Sequence, residues 1–186
     1  LLSSSVINLC DNEAIKAKEF PLIMNGNKTM TLALEENSYH NPYDFKTKAK
    51  LKGENYIING SKTFVIDGST SDEIILVAEI VEGELGFFLI NSNQKGIEIK
   101  KNILLDSGIY SDISFKEVIV HKEKLLNIKI KGKELLKDLL AIAYSGLASE
   151  MLGVILESFN ITINYLKERQ QFGVPIGSYQ ALQHRA

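Results

Sequence analysis

Residues 46–68 read KTKAKLKGENYIINGSKTFVIDG, and their periodicity assigns the chain to a fold class. The first seven residues alternate lysine with a smaller or apolar residue: Lys46-Thr47-Lys48-Ala49-Lys50-Leu51-Lys52. Because successive side chains of a strand point to opposite faces, this alternation predicts a strand with lysines on one face. We interpret the lysine face as a solvated surface rather than an anion-binding site.

The remainder of this stretch predicts a β-hairpin. Gly53-Glu54 is expected to form a turn, and Tyr56–Ile58 a second strand. Asn59-Gly60 is the strongest short hairpin signal, because both central residues of a type I′ turn need a positive φ. The sequence therefore predicts a turn at Asn59-Gly60 and a returning strand at Thr63–Ile66.

Four more strands are predicted towards the C-terminus, at Glu73–Ile80, Gly86–Ile90, Ile97–Ile99 and Ile113–Val120. Glycine, asparagine and aspartate separate them, as is typical of short strands joined by turns. Six or seven strands at this spacing indicate a compact antiparallel β-barrel or sandwich.

Helical signals flank the strands on both sides. From Lys133 to Gln170, apolar residues recur at steps of three and four, which predicts one long helix with a broad apolar face. Gly173 and Pro175 are expected to end it, and a new helix is expected near Ser178. Residues 1–28 are predicted to be helical and then a loop, with Asp11-Asn12 as a cap. Pro21 and Asn25-Gly26-Asn27 are expected to end this segment. The fold class is mixed α and β, with more than one domain.

Composition excludes several classes of protein. The chain has 186 residues, 45% of them hydrophobic, and 21 Lys and Arg against 23 Asp and Glu give a net charge of −2. This is typical of a globular chain and does not favour nucleic-acid binding. The single Cys10 has no partner for a disulfide, which favours a reducing, cytoplasmic location. Three scattered histidines predict no metal site.

No stretch of about 18 uninterrupted apolar residues is present, so no membrane span is expected. The longest apolar candidate, 139–149, is predicted to be a buried helix. Motifs for nucleotide phosphates and for nucleophilic catalysis are also missing. Gly60-Ser61-Lys62-Thr63 is similar to the end of a P-loop, but it lacks the upstream glycine and begins a strand.

Two stretches carry a resemblance to a known family. Residues 165–176, YLKERQQFGVPI, continue to Tyr179-Gln180-Ala181-Leu182-Gln183. This resembles the Y-x-x-x-R-x-x-F-G-x-P-I…Q-x-x-Q signature of the acyl-CoA dehydrogenase family. Residues 55–68, NYIINGSKTFVIDG, resemble the hairpin of that family's middle β-domain. Residues 31–36, TLALEE, are similar to its L-A-L-T-E-P strand, and Val118–His121 with Leu125-Leu126 is similar to the exit from the domain.

All four motifs occur in the family's order, so the resemblance spans essentially the whole chain. It implies the end of an N-terminal helical domain at 1–28, a middle β-barrel at 29–127 and the start of a C-terminal helical bundle at 128–186. The rest of both helical domains is not in this sequence, and we expect the chain to be truncated at both ends.

The resemblance implies FAD as cofactor, bound between the β-domain and the bundle and completed by a neighbouring subunit. Arg169 is expected to bind the pyrophosphate, since its planar guanidinium offers a fork of donors. Phe172 is expected to wall the site and Gln180 to reach the adenosine side. The alternative interpretation is a surface pair of Tyr165 and Arg169, one helical turn apart, followed by a helix stop.

At the positions that contact the flavin ring, this chain departs from the family. The usual threonine is Glu35, the usual proline is Asn37, and Ile66 lacks a hydroxyl that would bond the flavin. Phe64 is still expected to cover the ring, and backbone N–H groups to bond its polar edge. A carboxylate at 35 would repel a reduced, anionic flavin unless it points away.

The implied activity is FAD-dependent α,β-dehydrogenation of an acyl-CoA thioester, a step of fatty acid metabolism. In the family, a carboxylate removes the α-proton while the β-hydride passes to the flavin. The catalytic residue of this chain is unknown, because Ala143 and Tyr144 stand where some members carry a glutamate and an arginine. A non-catalytic subunit that pairs with an active homologue is the alternative, and an oxidase on the same fold stays open. The apolar face of the 133–170 helix predicts a homo-oligomer or a homologous partner subunit.

Overall fold

The computed structural model describes residues 1–81, 83–105 and 108–186. Its internal contacts divide the chain into a first unit, Leu1–Leu140, and a second unit, Ala141–Ala186. The predicted domain boundaries after residues 28 and 127 stay predictions.

In the residues that the structure describes, the first unit contains two short helices, seven strands and the first turns of a long helix. The helices are α1 (Leu2–Leu9), α2 (Glu13–Met24) and α3 (Gly132–Glu168), with a 3-10 turn at Lys122–Lys124. The strands are β1 (Met30–Ala33), β2 (Lys48–Lys52), β3 (Asn55–Ile66), β4 (Glu73–Val81), β5 (Glu84–Asn91), β6 (Ile97–Ile103) and β7 (Ile109–His121).

The seven strands form one sheet in the order β1-β4-β2-β3-β7-β6, with β5 paired to β4. Most neighbours are antiparallel, but β1 runs parallel to β4, and β2 meets β4 in parallel at the pair Lys48 and Glu79. The predicted class, an antiparallel β-domain flanked by helical segments, is confirmed. The two parallel pairings are an addition, since sequence periodicity carries no information on strand direction.

Two apolar cores stabilise the first unit. One joins α1, β5 and the start of α3, where Val6, Phe87 and Leu136 have no exposed surface. The other lies on the opposite side of the sheet and includes Ile58 and Phe88, also fully buried. The lysine alternation at 46–52 is explained by this second core, because the side chain of Ala49 points into it while the lysines are exposed.

The predicted turn at Asn59-Gly60 is wrong. β3 runs without interruption through both residues. The other predicted turn, at Gly53-Glu54, is confirmed: it joins β2 to β3, and Gly53 has a φ of 63°. Asn59 Oδ1 instead accepts the N–H of Glu117, which sits in a bulge of β7 with a φ of 50°. Gly60 is needed because a Cβ there would lie 2.6 Å from Thr47 Cα. The dipeptide therefore marks a close approach of two backbones and not a hairpin end.

The predicted end of the first helical segment at Pro21 is also wrong. Pro21 lies inside α2, which continues to Met24. A proline removes one N–H from the helix ladder, but its φ is compatible with a helix. The other predicted end, at Asn25-Gly26-Asn27, is confirmed, because α2 ends at Met24 and Gly26 takes a φ of 69°. The predicted cap at its start is confirmed, since the Asn12 side chain accepts the N–H of Ile15.

The second unit holds most of α3, a short hairpin of β8 (Gln170–Gln171) and β9 (Val174–Pro175), a 3-10 turn at Ile176–Ser178, and α4 (Gln180–Gln183). The predicted buried helix at 139–149 is buried only at Leu139 and Leu140. α3 contains an 18-residue window with a mean hydropathy of 1.8, of which 11% is buried. By length and composition alone, α3 could cross a membrane. Core helices of soluble proteins meet the same two criteria.

The long helix ends two residues earlier than its periodicity predicts, at Glu168. Two residues with positive φ, Phe172 at 55° and Gly173 at 82°, form the turn of the β8–β9 hairpin. Two positive φ values in a two-residue loop are the geometry of a type I′ turn. A non-glycine aromatic residue in this conformation is strained.

Candidate functional site

The exposed end of β3 carries two of the six predicted site residues. The pairing of β3 with β7 shifts register between Lys62 and Val65, so that β3 has one extra residue, and Phe64 takes a φ of 57°. We call residues 62–65 the Phe64 bulge. It leaves Phe64 56% exposed and Ile66 58% exposed, and the Phe64 ring lies 4.6 Å from that of Tyr110. The result is a partly exposed aromatic surface on a fixed backbone.

A carboxylate supports the bulge from β7. Asp112 accepts hydrogen bonds from Thr63 Oγ1 and Asn102 Nδ2, each at 2.9 Å, and from the N–H of Phe64. The bond from Asn102 and those from Thr63 and Phe64 hold the pKa of Asp112 below its usual range. This contact fixes the strained residue at the base of the aromatic surface.

Glu35 lies beside the bulge on the segment that follows β1. Its carbonyl oxygen accepts the N–H of Thr63 at 2.8 Å, which brings Glu35 and the Phe64 bulge together. The carboxylate is engaged by the loop that follows: Oε1 lies 2.6 Å from His40 Nδ1, and Oε2 accepts the N–H of Asn41 at 3.2 Å. Glu35 thus has local partners for its charge.

Behind this surface lies a buried ion pair that sequence reasoning missed. Lys62 Nζ is 2.6 Å from Glu36 Oε1 and donates to the carbonyl oxygen of Leu34 at 2.9 Å. The side chain of Lys62 is fully buried and that of Glu36 is 3% exposed. In the sequence, Lys62 stands out only as part of the stretch that is similar to the end of a P-loop. Ser61 and Thr63 flank Lys62, so its neighbours in the sequence carry no signal that it is buried and paired.

Burial lowers the pKa of Lys62 to about 8, although the Glu36 carboxylate acts in the opposite direction. Burial also disfavours the charged form of Glu36. The Lys62 ammonium and the N–H groups of Lys46 and Thr47 outweigh it and lower the pKa of Glu36. At neutral pH both groups are charged, and each depends on the other.

An open trough of about 420 Å³ lies along the neighbouring face of β3, β7 and β6. Charged and polar side chains line it, including Glu98 and Asp112. Both carboxylates have partners: Asp112 as described, and Glu98 with Lys116 at 3.4 Å. We interpret this trough as a solvated polar surface. Among the described residues, no group of three His, Cys, Asp or Glu is placed to hold a metal ion.

The other three predicted site residues lie in the second unit. Arg169 follows α3 directly, and its carbonyl oxygen accepts the N–H of Ile176 at 2.8 Å. In the described part of the chain, its guanidinium has no hydrogen-bond or ion-pair partner. Phe172 stands at the hairpin tip and is 92% exposed, and Gln180 is the exposed first residue of α4. The hairpin places Arg169 and Phe172 on one short, backbone-bonded element.

Comparison with known proteins gives a consistent result. The family model described as "Acyl-CoA dehydrogenase, C-terminal domain" matches residues 131–186. The 3-(aryl)acrylate reductase of Clostridium sporogenes is 31% identical over 91% of this chain and 47% of its own length. The short-chain-specific acyl-CoA dehydrogenase of Clostridium acetobutylicum is 30% identical over 97% of this chain and 50% of its own length.

Among solved structures, butyryl-CoA dehydrogenase from Megasphaera elsdenii superposes with a TM-score of 0.89 at 25% identity. The match covers 99% of this chain and 50% of that protein. The chain therefore spans about half the length of the relatives that it matches.

Proposed function

Because this chain belongs to the acyl-CoA dehydrogenase family, we propose that it forms part of a flavoprotein that desaturates an acyl-CoA thioester between its α and β carbons. The observation that carries the proposal is the pair Arg169 and Phe172. Both belong to the motif that binds FAD in the family, and both are exposed and without a competing partner among the described residues.

The residues of the second unit fit FAD by their chemistry. An unpaired guanidinium suits a pyrophosphate, because its planar donors bond two oxygens at once. The Gln180 amide has both a donor and an acceptor for the adenosine side. Phe172 supplies an apolar wall. When bound, FAD supplies the acceptor for the hydride that leaves the acyl chain.

The first unit fits the ring of the flavin through the Phe64 bulge. Its exposed aromatic surface is suited to cover a planar ring. The backbone around the bulge orients that surface, and the engagement of Glu35 with His40 and Asn41 draws its negative charge towards its own loop. This reduces the repulsion that a glutamate at this position would otherwise exert. Ile66 contributes only apolar contact.

A non-catalytic subunit that completes the flavin site of an active homologue is the second candidate function. Three substitutions favour it: Glu35 and Ile66 at the flavin ring, and Tyr144 in place of the family's arginine. Either role needs association with another chain. The exposed apolar side chains of α3, among them Leu152, Ile155 and Phe159, support a bundle or subunit contact there.

The direction of the reaction is part of the proposal. One relative is named a reductase of 3-arylacrylates, which is the reverse hydride transfer on a conjugated carbon–carbon double bond. The same flavin site serves both directions, since a catalyst accelerates a reaction and its reverse together. We therefore propose a saturated or α,β-unsaturated acyl thioester as the substrate class.

The test is purification of the full protein, with any homologous subunit that copurifies, followed by titration with FAD. The dehydrogenase proposal expects bound flavin that loses its visible absorption when short acyl-CoA thioesters are added without oxygen. Bound flavin that no acyl-CoA bleaches, with activity only in the homologue, would favour the non-catalytic subunit. A protein that binds no flavin alone or with its partner contradicts both.

A further inference from the structure

One buried group has no part in the proposed chemistry. Lys62 is among the largest fully buried side chains of the first unit, at 1% exposure. It donates to Leu34 and pairs with Glu36, and the Phe45 ring lies 4.7 Å from its ammonium. A fully buried lysine is rare unless it is paired, and here it is paired with a carboxylate 26 residues earlier.

The pair joins three separate segments of backbone. Lys62 belongs to β3 and bonds the segment 34–36. Glu36 in turn accepts the N–H of Lys46 at 2.6 Å and of Thr47 at 3.2 Å, just before β2. Both carboxylate oxygens of Glu36 therefore accept hydrogen bonds from neighbouring segments. A change in either charge is felt at all three segments.

The residues that flank the pair are those proposed to face the flavin. Glu35 precedes Glu36, and its carbonyl oxygen accepts the N–H of Thr63, which follows Lys62. Phe64 comes next, with its unfavourable φ of 57°. Such a conformation persists only where the surrounding structure determines it more strongly than the residue's own preference.

We propose that Lys62 and Glu36 are positioning residues: their buried pair holds the Glu35 segment and the Phe64 bulge in the arrangement that receives the flavin ring, without touching the flavin. The proposal rests on the proposed function. Stability alone does not account for this pair, because a buried ion pair can often be replaced by uncharged residues of similar size with little loss of stability. Uncharged residues would not reproduce the directions of the hydrogen bonds that Lys62 and Glu36 make.

The test compares two double variants of the full protein. Lys62→Met with Glu36→Gln removes both buried charges, while keeping the volume and an oxygen for the N–H groups of residues 46 and 47. Lys122→Met with Glu54→Gln removes an exposed pair, whose side chains are 51% and 64% exposed, between the 3-10 turn at Lys122–Lys124 and the turn before β3. Beside urea unfolding, three quantities are measured: the FAD dissociation constant, the visible spectrum of the bound flavin, and amide hydrogen exchange by NMR at Thr63 and Phe64.

The buried double variant is expected to unfold at a urea concentration close to that of the wild type. It is expected to bind FAD at least tenfold more weakly, with a shifted flavin spectrum and faster exchange at Thr63 and Phe64. The exposed double variant should match the wild type in all three. If the buried double variant does not fold, Glu36→Asp serves, because it keeps both charges but moves the carboxylate; a severalfold loss of affinity and the same acceleration of exchange are expected.

Unchanged exchange at Thr63 and Phe64 overturns the proposal, whether or not flavin binds. So does faster exchange with unchanged flavin affinity, since the bulge would then not matter to the ring. In both cases the wild type binds flavin and the proposed function stands. A wild type that binds no flavin removes the proposed function itself, and this inference with it.

Discussion

In the first unit, buried polar groups support the residues that are proposed to contact the flavin. In the second unit, such residues lie on exposed backbone. Glu35 and the Phe64 bulge are held by Asp112 and by the pair of Lys62 and Glu36. Arg169 and Phe172 are held by the bonds of a two-stranded hairpin. The first unit departs from the family at several positions proposed to contact the flavin, but it has a buried framework beneath them. The second keeps the residues of the family signature on a small element. Sensitivity to substitution should therefore lie in the interior of the first unit and on the surface of the second.

The largest effect is expected from breaking the buried pair on one side only. Lys62→Met leaves the Glu36 carboxylate buried without its partner, which costs about 3–5 kcal/mol of the free energy of unfolding. Lys122→Met, the matched change in the exposed pair of Lys122 and Glu54, should cost no more than about 1 kcal/mol. Urea unfolding of the full protein measures both. Equal losses would show that the interior of the first unit is not the source of its rigidity.

The next effect concerns the surface of the second unit. Arg169→Ala should weaken flavin binding about tenfold to a hundredfold, because a hydrogen bond to a charged group contributes roughly 1.5–3 kcal/mol. Arg169→Lys should recover part of the loss, since a point charge does not reproduce the fork of donors. The measurement is quenching of flavin fluorescence on titration.

Arg185→Ala is the matched control, because Arg185 is the other arginine of the chain and is also exposed. Its substitution should leave flavin affinity unchanged. Wild-type affinity in Arg169→Ala would remove the assignment of this motif, and would leave the alternative of a surface pair with Tyr165.

A substitution at Gly60 separates the two interpretations of the Asn59-Gly60 dipeptide. An added Cβ would lie 2.6 Å from Thr47 Cα, so Gly60→Ala should lower the free energy of unfolding by about 1–3 kcal/mol. Gly153→Ala is the control on α3, where no atom lies within 4 Å of the added Cβ. It should raise helix stability by about 0.5–1 kcal/mol. If Gly60→Ala were harmless, the close approach of β3 to Thr47 would be wrong.

The outcome at Asn59-Gly60 illustrates what local patterns predict and what they miss. The alternation at 46–52 and the strand runs predicted the strands well, because burial on one face imposes a period of two. The Asn-Gly rule failed because it takes no account of other strands. Glu117 lies in a bulge of β7 opposite Asn59, and its N–H donates a hydrogen bond to the Asn59 side chain. Similarly, Phe172-Gly173 gave no signal of a hairpin, because the first residue of a type I′ turn is usually asparagine and not phenylalanine.

The site was predictable to the extent that it repeats a family motif. Arg169, Phe172 and Gln180 are predicted through a contiguous signature, and the structure leaves them exposed. The pair of Lys62 and Glu36 joins residues 26 positions apart. Spacing along the chain does not bring such residues together, so only the folded sheet reveals them. The local partners of the Glu35 carboxylate were missed for a related reason, since they depend on the path of the loop at 40–41.

The smallest effect is expected from restoring the family's contacts in the first unit. Glu35→Thr with Ile66→Thr introduces two hydroxyls on a surface that the buried framework already fixes. One net hydrogen bond contributes about 0.5–1.5 kcal/mol, so flavin affinity should rise roughly threefold to tenfold. Removing the Glu35 charge acts in the same direction for the reduced, anionic flavin. The affinities of oxidised and reduced flavin should therefore rise unequally, and the midpoint potential of bound flavin should become more positive. Ile119→Thr, on β7 and 58% exposed like Ile66, serves as the control for adding a hydroxyl. If the double variant instead binds flavin less well, the contacts of Glu35 with His40 and Asn41 contribute more to the site than the hydroxyls do. The first unit would then have an adapted surface of its own, and the comparison with the second unit would have to be redrawn on that basis.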